Sequence, residues 1–265
     1  MELFHAVLGS GSSGNSYVFY DGTSSIIIDQ GYSFVQFKKK LNEVNVPLTS
    51  VQAIFLTHFH PDHCHGLRVT SSKASIPFYI NSQAIEKEPV VFARLNLPLT
   101  NLNPIEVDRE YIIGNFKIIA FNTYHDSGGS VGYFIENNGE KVTLITDTGK
   151  TSEQMGKYAK KSNALFLESN YDNDMLVKGP YPYKLKKRVS GDWGHLSNTQ
   201  ALDFVKETGF KGELLYLIHL SDKNNTTELV EQIFNDNLDG PQIVVCPRGK
   251  VVNVMGIRND EKQKA

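Results

Sequence analysis

Short apolar runs recur along the chain, and turn residues separate many of them. The runs occupy residues 2–8, 16–20, 25–29, 53–56, 76–80, 116–121, 131–136, 141–145, 164–168, 214–219, 242–246 and 249–255. Runs of this length, bounded by turn pairs such as Asp21 and Gly22, predict buried β-strands. Several runs end in a histidine or a carboxylate, so the strand pattern also indicates where chemistry could lie.

Between the strands, apolar residues recur at helical spacing. Phe34, Phe37 and Leu41 fall on one helical face after Ser33, a residue type that often caps a helix N-terminus. Further helices are predicted over residues 82–88, 152–161, 199–208 and 228–235. Residues 89–110 carry several prolines and asparagines and give no clear pattern. Strands and helices alternate in both halves of the chain, which predicts a layered α/β fold.

One predicted strand runs directly into four potential metal ligands, His58, His60, Asp62 and His63. Imidazole nitrogen and carboxylate oxygen are common ligands of zinc and similar divalent ions. In an extended segment residues i and i+2 point the same way, so His58 and His60 can share one ion. Pro61 fixes the following turn, on which Asp62 and His63 can face a second ion. A single histidine is usually structural, but this spacing directly after a strand favours a metal site.

Other strand ends repeat the same placement. His125, Asp147 and His219 each lie at or just past the end of an apolar run. Strand ends meet at one edge of an α/β sheet, so we expect these side chains to join the first group. Asp29 also ends an apolar run, where a carboxylate could simply cap the following turn.

Composition sets limits on the class of protein. The chain has 265 residues, of which 40% are apolar, which suits one domain over residues 1–265 with a fraying polar tail at 258–265. The net charge of −2 gives no overall basic field, although a local basic strip would suffice to bind nucleic acid.

Cysteine usage and the terminal sequence suggest a location. The two cysteines, Cys64 and Cys246, cannot form a disulfide framework, so a reducing compartment fits best. The N-terminus lacks the features of a signal peptide, and no apolar run reaches the roughly 18–20 residues of a membrane span. We therefore predict a cytoplasmic protein without a membrane segment.

The segment Thr57–His63 resembles the signature of the metallo-β-lactamase superfamily. Further segments resemble the bacterial YycJ/WalJ branch of that superfamily: residues 9–15, 168–172, 179–183, 194–198 and 219–225. The resemblance implies a four-layered αβ/βα sandwich, in which two mixed β-sheets face each other with helices outside. The alternation of strands and helices agrees with this fold without distinguishing it from other α/β layers.

The resemblance also distributes the potential ligands between two divalent ions. The first ion would be held by His58, His60 and His125, the second by Asp62, His63 and His219, and both by Asp147. Asp29 would hold a ligand histidine by its remote ring nitrogen. His195 would be the additional histidine that phosphodiesterase members place near the scissile phosphate, and it could exchange roles with His219. His5 and His65 match no ligand position.

The implied chemistry needs no covalent nucleophile. Two ions roughly 3.5–4 Å apart can share a hydroxide, because metal binding lowers the pKa of water to near 7. This metal-bridging hydroxide would attack, and a protonated His195 would donate to the leaving oxygen. Asp62 and His195 are therefore the expected catalytic residues. Zn²⁺ is the expected ion, with Mn²⁺ as the alternative, since histidine and carboxylate ligands accept both.

Three local features favour a phosphodiester substrate. One is His195, and another is Asp147, which stands where many β-lactamases place a cysteine. The third is a basic run before His195, whose predicted phosphate contacts are Lys186, Lys187 and Arg188, interleaved with Tyr181, Tyr183 and Trp193. Aromatic faces could stack on bases. The alternative interpretation of this run is a solvated loop.

The resemblance narrows the expected activity to a 5′-to-3′ exonuclease on double-stranded DNA. A small-molecule phosphodiesterase acting on cyclic phosphates is the nearest alternative, followed by a thioester or lactam hydrolase. A non-catalytic metal-binding protein is less consistent with the full ligand set. The sequence indicates no obligatory protein partner, and the oligomeric state cannot be read from it.

Overall fold

Fourteen β-strands organise residues 3–254, the part of the chain that this computed structural model describes. In chain order the strands are β1 (Phe4–Gly9), β2 (Ser16–Tyr20), β3 (Ser25–Ile28), β4 (Val51–Phe55), β5 (Phe78–Asn81), β6 (Leu102–Ile105), β7 (Glu110–Ile113), β8 (Phe116–Asn122), β9 (Val131–Asn137), β10 (Glu140–Ile145), β11 (Ala164–Glu168), β12 (Leu214–Ile218), β13 (Gln242–Val245) and β14 (Val252–Asn253).

Ten α-helices accompany the strands in the same range. They are α1 (Phe34–Glu43), α2 (Pro61–Cys64), α3 (Leu67–Ala74), α4 (Ser82–Lys87), α5 (Pro89–Leu95), α6 (Glu153–Ala159), α7 (Asn173–Lys178), α8 (Tyr183–Val189), α9 (Asn198–Thr208) and α10 (Thr227–Asn235). No helix within residues 3–254 has the length and apolar character needed to cross a membrane.

The strands form two seven-stranded mixed sheets. The first has the order β14-β1-β2-β3-β4-β5-β6, and the second has the order β13-β12-β11-β10-β9-β8-β7. In each sheet one half is antiparallel and the other is parallel, the parallel half running from β3 to β6 and from β10 to β13. Parallel strands place their carboxyl ends at one edge, which is where the predicted site residues follow the strands.

Aromatic side chains fill the space between the two sheets. Phe166 of β11 lies edge-on to Tyr17 and Phe19 of β2, with ring centroids 6.0 and 5.7 Å apart, and stacks on Tyr216 of β12 at 4.2 Å. His5 joins this core rather than the site, with its Nδ1 3.1 Å from the Tyr216 hydroxyl. Burial lowers the pKa of His5 to about 4.

Helices cover the outer face of each sheet, which confirms the four-layered sandwich. Phe37 and Leu41 of α1 are buried against the outer face of the first sheet, as the helical spacing predicts. Helices α6, α9 and α10 cover the second sheet. The predicted cap at Ser33 is confirmed as a capping box with Gln36, and α9 begins with the same device at Ser197.

Several segments differ from the predicted pattern. Residues 89–110, which gave no clear pattern, contain α5, a short 3₁₀ helix and β6. The basic run before His195 forms α8 rather than a loop, and the predicted turn after His60 is the helical turn α2. The predicted polar tail at 258–265 and the end of the run at 249–255 lie outside the described residues.

Asp21 joins the two sheets at the end opposite the predicted site. It accepts hydrogen bonds from the backbone N–H of Ser24 at 2.7 Å and, at 3.1 Å, from the side-chain amide of Asn115, which lies in the turn between β7 and β8 of the second sheet. Burial alone would raise the pKa of Asp21, but the bonds from Ser24, Thr23 and Asn115 outweigh burial and lower the pKa well below its ordinary range.

Replacing Asp21 by Asn should therefore destabilise the fold in a pH-dependent way. We expect a loss of about 1–3 kcal/mol in the free energy of unfolding near neutral pH, because a charged acceptor of several bonds is removed. A depressed folded-state pKa contributes stability above the unfolded pKa of about 3.9, and that contribution disappears as the pH falls.

Urea unfolding of the wild type and Asp21→Asn, near neutral pH and in acid, would measure this difference. The exposed Asp203 supplies the control variant, Asp203→Asn, which should change little at either pH. A destabilisation by Asp21→Asn that is equally large in acid would contradict the assignment.

Candidate metal centre

Residues of both sheets meet where their strands end. Asp29 follows β3 and His58 lies just after β4 in the first sheet, while His125, Asp147 and His219 lie just after β8, β10 and β12 in the second. The predicted convergence at one edge is thus present, and it draws on both sheets rather than on one.

Three of these residues have a left-handed backbone conformation. The φ angles are 60° at Asp29, 53° at Asp147 and 58° at His219. Side chains other than glycine rarely adopt this region, although Asp, Asn and His do so more often than most. Such residues end a strand sharply, and their recurrence at one site is typical of functional positions that the surrounding structure holds in place.

The first ligand group consists of His58, His60 and His125, whose ligand atoms all lie within 4.8 Å of one another. His125 Nε2 is 3.1 Å from His60 Nδ1. Thr57 Oγ1 lies 2.9 Å from His58 Nδ1, which leaves the other ring nitrogen for the site. Burial lowers the pKa of all three histidines and thereby favours the neutral imidazole that binds metal.

The second group consists of Asp62, His63 and His219, whose ligand atoms also lie within 4.8 Å of one another. Asp62 Oδ2 is 3.5 Å from His63 Nε2 and 3.7 Å from His219 Nε2. Helix α2, with proline at its first position, brings Asp62 and His63 to the same place. Asp29 Oδ2 lies 2.7 Å from His63 Nδ1 and so holds the remote nitrogen of this histidine.

Asp147 lies between the two groups. Its Oδ2 is 3.3 Å from His63 Nε2, and its Oδ1 is 3.5 Å from His125 Nε2 and 3.7 Å from His219 Nε2. Burial alone would raise the pKa of Asp147, but the facing imidazoles outweigh it and hold the pKa well below its ordinary range. Asp147 is thus a buried carboxylate that faces members of both groups.

The chemistry of these side chains fits divalent cations. Within residues 3–254, the buried Nε2 atoms of His58 and His219 have no hydrogen-bond partner. A buried polar atom without a partner is destabilising, and a bound metal ion would provide one. Histidine and carboxylate ligands without cysteine suit zinc and manganese alike, so the ligand set does not choose the ion.

Glu168 is a site residue that the sequence analysis did not single out beyond the end of its strand. It is buried, and its Oε1 accepts hydrogen bonds from His195 Nδ1 at 2.6 Å and from His219 Nδ1 at 3.0 Å. Its Oε2 accepts from the backbone N–H of Thr148 and Leu196. The available signal was a carboxylate ending an apolar strand, the same signal that marked Asp29.

Glu168 contacts both of the histidines whose roles the sequence left interchangeable, but their remaining surroundings differ. His219 points its Nε2 toward Asp62 and Asp147 and so belongs to the second ligand group. His195 remains 18% exposed and lines the cavity above the site. His219 therefore lies among the side chains of the second ligand group, whereas His195 lies at the cavity wall.

The glycine- and serine-rich loop after β1 supplies a further contact, through Asn15. Its side-chain amide donates to Asp62 Oδ2 at 3.1 Å, and its Nδ2 lies 2.9 Å from His63 Nε2. The backbone of Asn15 and that of Asp62 both pack closely against Gly31. A Cβ atom at Gly31 would lie 1.8 Å from the Asp62 carbonyl oxygen and 2.8 Å from the Asn15 nitrogen. His65, by contrast, is exposed and lies outside the ligand groups.

A cavity of about 370 Å³ opens above the ligand groups, and Arg188 lies at its wall. Arg188 Nε donates to Asp126 Oδ2, and Asp126 Oδ1 is 3.5 Å from both His60 Nε2 and His125 Nε2. Of the three predicted basic residues, Arg188 is the one that lines this cavity.

The two neighbouring lysines take other directions. Lys186 Nζ donates to the Val177 carbonyl oxygen at 2.6 Å, and Lys187 Nζ lies 5.0 Å from the centre of the Tyr183 ring. Both lysines line a separate groove with Val177 and Tyr183. Because α8 is a helix, three successive residues cannot all face the same cavity.

Known proteins resemble this chain in sequence and in fold. A family model described as a β-lactamase superfamily domain matches residues 24–220. Exodeoxyribonuclease YycJ of Bacillus anthracis is 32% identical over 242 residues, which cover 90% of each chain. Exodeoxyribonuclease WalJ of Streptococcus pneumoniae is 29% identical over 238 residues, covering 88% of this chain and 87% of that protein.

Among solved structures, the metallo-β-lactamase fold protein YhfI of Bacillus subtilis superposes with a TM-score of 0.72. The superposition covers 95% of this chain and all of the other, and 19% of the residues are identical, so it supports the fold alone. The family match covers most of the chain, and it agrees with the two facing sheets. The chain belongs to the metallo-β-lactamase superfamily of hydrolases, in the branch of the proteins named YycJ and WalJ.

Proposed function

We propose that this protein is a two-metal nuclease that degrades double-stranded DNA from a 5′ end. The carrying observation is the position of Asp147 between two histidine-rich ligand groups, beneath a cavity lined by His195 and Arg188. The names of the YycJ and WalJ relatives, which match nearly the whole chain, support DNA as the substrate. The direction of cleavage and the preference for duplex rest on the family resemblance.

The chain provides ligands for two ions, Zn²⁺ or Mn²⁺. His58, His60 and His125 would hold one ion, Asp62, His63 and His219 the other, and Asp147 both. When bound, such a pair of ions supplies a hydroxide nucleophile near neutral pH and neutralises charge on the phosphate. Asp29 and Glu168 orient His63 and His219 by holding their Nδ1 atoms, which directs Nε2 toward the site.

His195 is the proposed general acid. It lines the cavity, and its Nδ1 is hydrogen-bonded to Glu168, so the Nε2 atom is the one left to carry a proton to the leaving oxygen. Arg188 offers a guanidinium at the cavity wall, where it can exchange its bond to Asp126 for a phosphate oxygen. Lys186 and Lys187, in their separate groove, would meet phosphates farther along the duplex.

Metal removal and replacement of Asp62 test the proposed function together. Metal-stripped protein should not cleave 5′-labelled double-stranded DNA, and added Zn²⁺ or Mn²⁺ should restore the release of short 5′ products. Asp62→Ala should lower kcat by about 100-fold or more and bind about one ion per chain instead of two, because the second group loses its carboxylate. Asp174→Ala, at an exposed ion pair on α7, is the control.

The outcomes of this assay separate the candidate functions. Failure to cleave DNA, together with hydrolysis of a simple phosphodiester, would indicate the small-molecule phosphodiesterase instead. Inactivity on both substrates would favour a thioester or lactam hydrolase. Full activity of Asp62→Ala would contradict the assignment of Asp62 as a metal ligand.

Glu168→Gln tests whether Glu168 positions the two histidines. The neutral amide has one acceptor oxygen and one NH2 donor, so it cannot accept both from the two histidine Nδ1 atoms and from the backbone N–H groups of Thr148 and Leu196. One of these two anchors should therefore be lost. We expect kcat to fall by roughly 10–100-fold, with weaker metal binding, while the far-ultraviolet circular dichroism stays unchanged. Glu207→Gln, at an exposed position of α9, should behave as wild type. Unchanged kcat and metal affinity would contradict the positioning role.

Arg188→Ala tests the cavity wall. We expect KM for DNA to rise by about tenfold and its dependence on salt concentration to become weaker, because one phosphate contact is lost. The exposed Arg109, which pairs with Glu106, supplies the control Arg109→Ala. A double variant, Lys186→Ala with Lys187→Ala, should raise KM less than Arg188→Ala does. A larger effect of the lysine pair would place the main phosphate contacts in the separate groove.

A further inference from the structure

Trp193 is the single tryptophan of the chain, and 57% of it is exposed. It lies two residues before His195, in the loop between α8 and α9. Its ring packs edge-on against Tyr124, with centroids 5.8 Å apart. Lys150 Nζ lies 4.7 Å from the centre of the Tyr124 ring and 5.8 Å from that of Trp193. Trp193, Tyr124 and Lys150 are called the aromatic patch below.

The aromatic patch is fastened to the metal centre by backbone contacts. Tyr124 immediately precedes His125, its N–H donates to Thr148 Oγ1, and its carbonyl oxygen accepts from the Gly149 N–H at 2.8 Å. On the other side, the carbonyl oxygen of Gly194, the residue after Trp193, lies 2.9 Å from His125 Nδ1. Tyr124 is therefore adjacent in sequence to the proposed ligand His125. Trp193 is adjacent to Gly194, whose carbonyl oxygen contacts the same histidine.

Close packing of the chain fixes the loop that carries Trp193. A Cβ atom at Gly149 would lie 2.2 Å from the Gly191 carbonyl oxygen and 2.6 Å from the Gly194 nitrogen. A further bond, from the Gly194 N–H to the Gly191 carbonyl oxygen at 2.8 Å, closes the loop on itself. An exposed indole on so constrained a loop can receive a partner ring at little cost in conformational entropy.

The patch borders a second cavity, of about 430 Å³, whose lining includes His125 of the first ligand group. Tyr124 and Trp193 line it together with Lys87 and Gln83, and His125 lines both this cavity and the central one. Two aromatic rings and two lysines beside a phosphodiester-cleaving centre match the chemistry of a nucleotide, with a flat base and a negative backbone.

We propose that the aromatic patch is a stacking site for a nucleobase adjacent to the scissile phosphate. This inference rests on the proposed nuclease function and adds the surface that receives the base. With the phosphate over the ligand groups, the neighbouring base enters the second cavity and its face covers the exposed indole. Tyr183 is also exposed, but it lines the groove of Lys186 and Lys187, which shares none of its lining residues with the central cavity.

The fluorescence of the single tryptophan gives a direct test of binding. The metal-loaded full-length protein is titrated with a short duplex whose 5′ end carries phosphorothioate linkages that slow hydrolysis. The comparison duplex has abasic sites at its two terminal 5′ nucleotides and is otherwise identical. We expect saturable quenching with the base-bearing duplex, at about tenfold lower Kd than with the abasic one, because stacking is lost when the base is absent.

Variants give a second, independent measurement. Trp193→Ala should raise KM for DNA by about tenfold with a smaller change in kcat, and Trp193→Phe should recover most of the loss because it keeps a stacking face. Phe34→Ala is the control, because Phe34 of α1 forms a similar aromatic and lysine cluster with Lys38 of α1 and Lys73 of α3, and none of the three lines either cavity. Thermal unfolding of each variant checks that the fold is intact.

The results distinguish this inference from the proposed function. Equal quenching by the base-bearing and abasic duplexes, or an unchanged KM in Trp193→Ala, would overturn the stacking site even if the wild type degrades DNA. Absence of DNA cleavage by the wild type would overturn the proposed nuclease function. The fluorescence titration would still test the stacking site in that case, because it measures binding of the base without cleavage. Base-dependent quenching together with recovery in Trp193→Phe would establish the patch as the base-binding surface.

Discussion

Asp147 is a buried carboxylate whose oxygen atoms face imidazoles from both β-sheets. Such a charge is expensive to bury unless groups of opposite charge or metal ions surround it. His63 arrives from the first sheet and His125 and His219 arrive from the second, so the compensation exists only when the sheets are packed together. The aromatic core between the sheets, centred on Phe166, therefore sets the geometry of the site as well as stabilising the fold.

Two further carboxylates extend this arrangement outward. Asp29 holds the remote nitrogen of His63 from one side, and Glu168 holds those of His195 and His219 from the other. Each accepts at least one additional bond from the backbone, so neither is free to turn away. Residues at the rigid ends of strands thus fix the orientation of the ligand atoms. The loops above them remain available for contacts with substrate.

Local patterns in the sequence predicted an α/β fold, most strands and the potential ligands at strand ends. The spacing of His58, His60, Asp62 and His63 is such a pattern, and so is Ser33 before an amphipathic helix. The four-layered arrangement and the division of the ligands into two groups came from the family resemblance. The sequence marked Glu168 only as a carboxylate at the end of a strand. Its contact with His219 could not be predicted, because that contact depends on β11 lying beside β12, a pairing set by tertiary structure. The directions of the Lys186, Lys187 and Arg188 side chains could not be predicted either. They depend on this segment forming helix α8 and on the position of that helix in the fold.

The left-handed backbone at Asp29, Asp147 and His219 affects how the site can be probed by mutagenesis. Alanine at these positions removes a functional group. It also raises the energy of the backbone, because alanine has no polar side chain to stabilise the left-handed conformation. An alanine scan would therefore mix a backbone penalty with the loss of a ligand and overstate the importance of the side chain. Asparagine, which tolerates this conformation, separates the two effects and is the more informative replacement there.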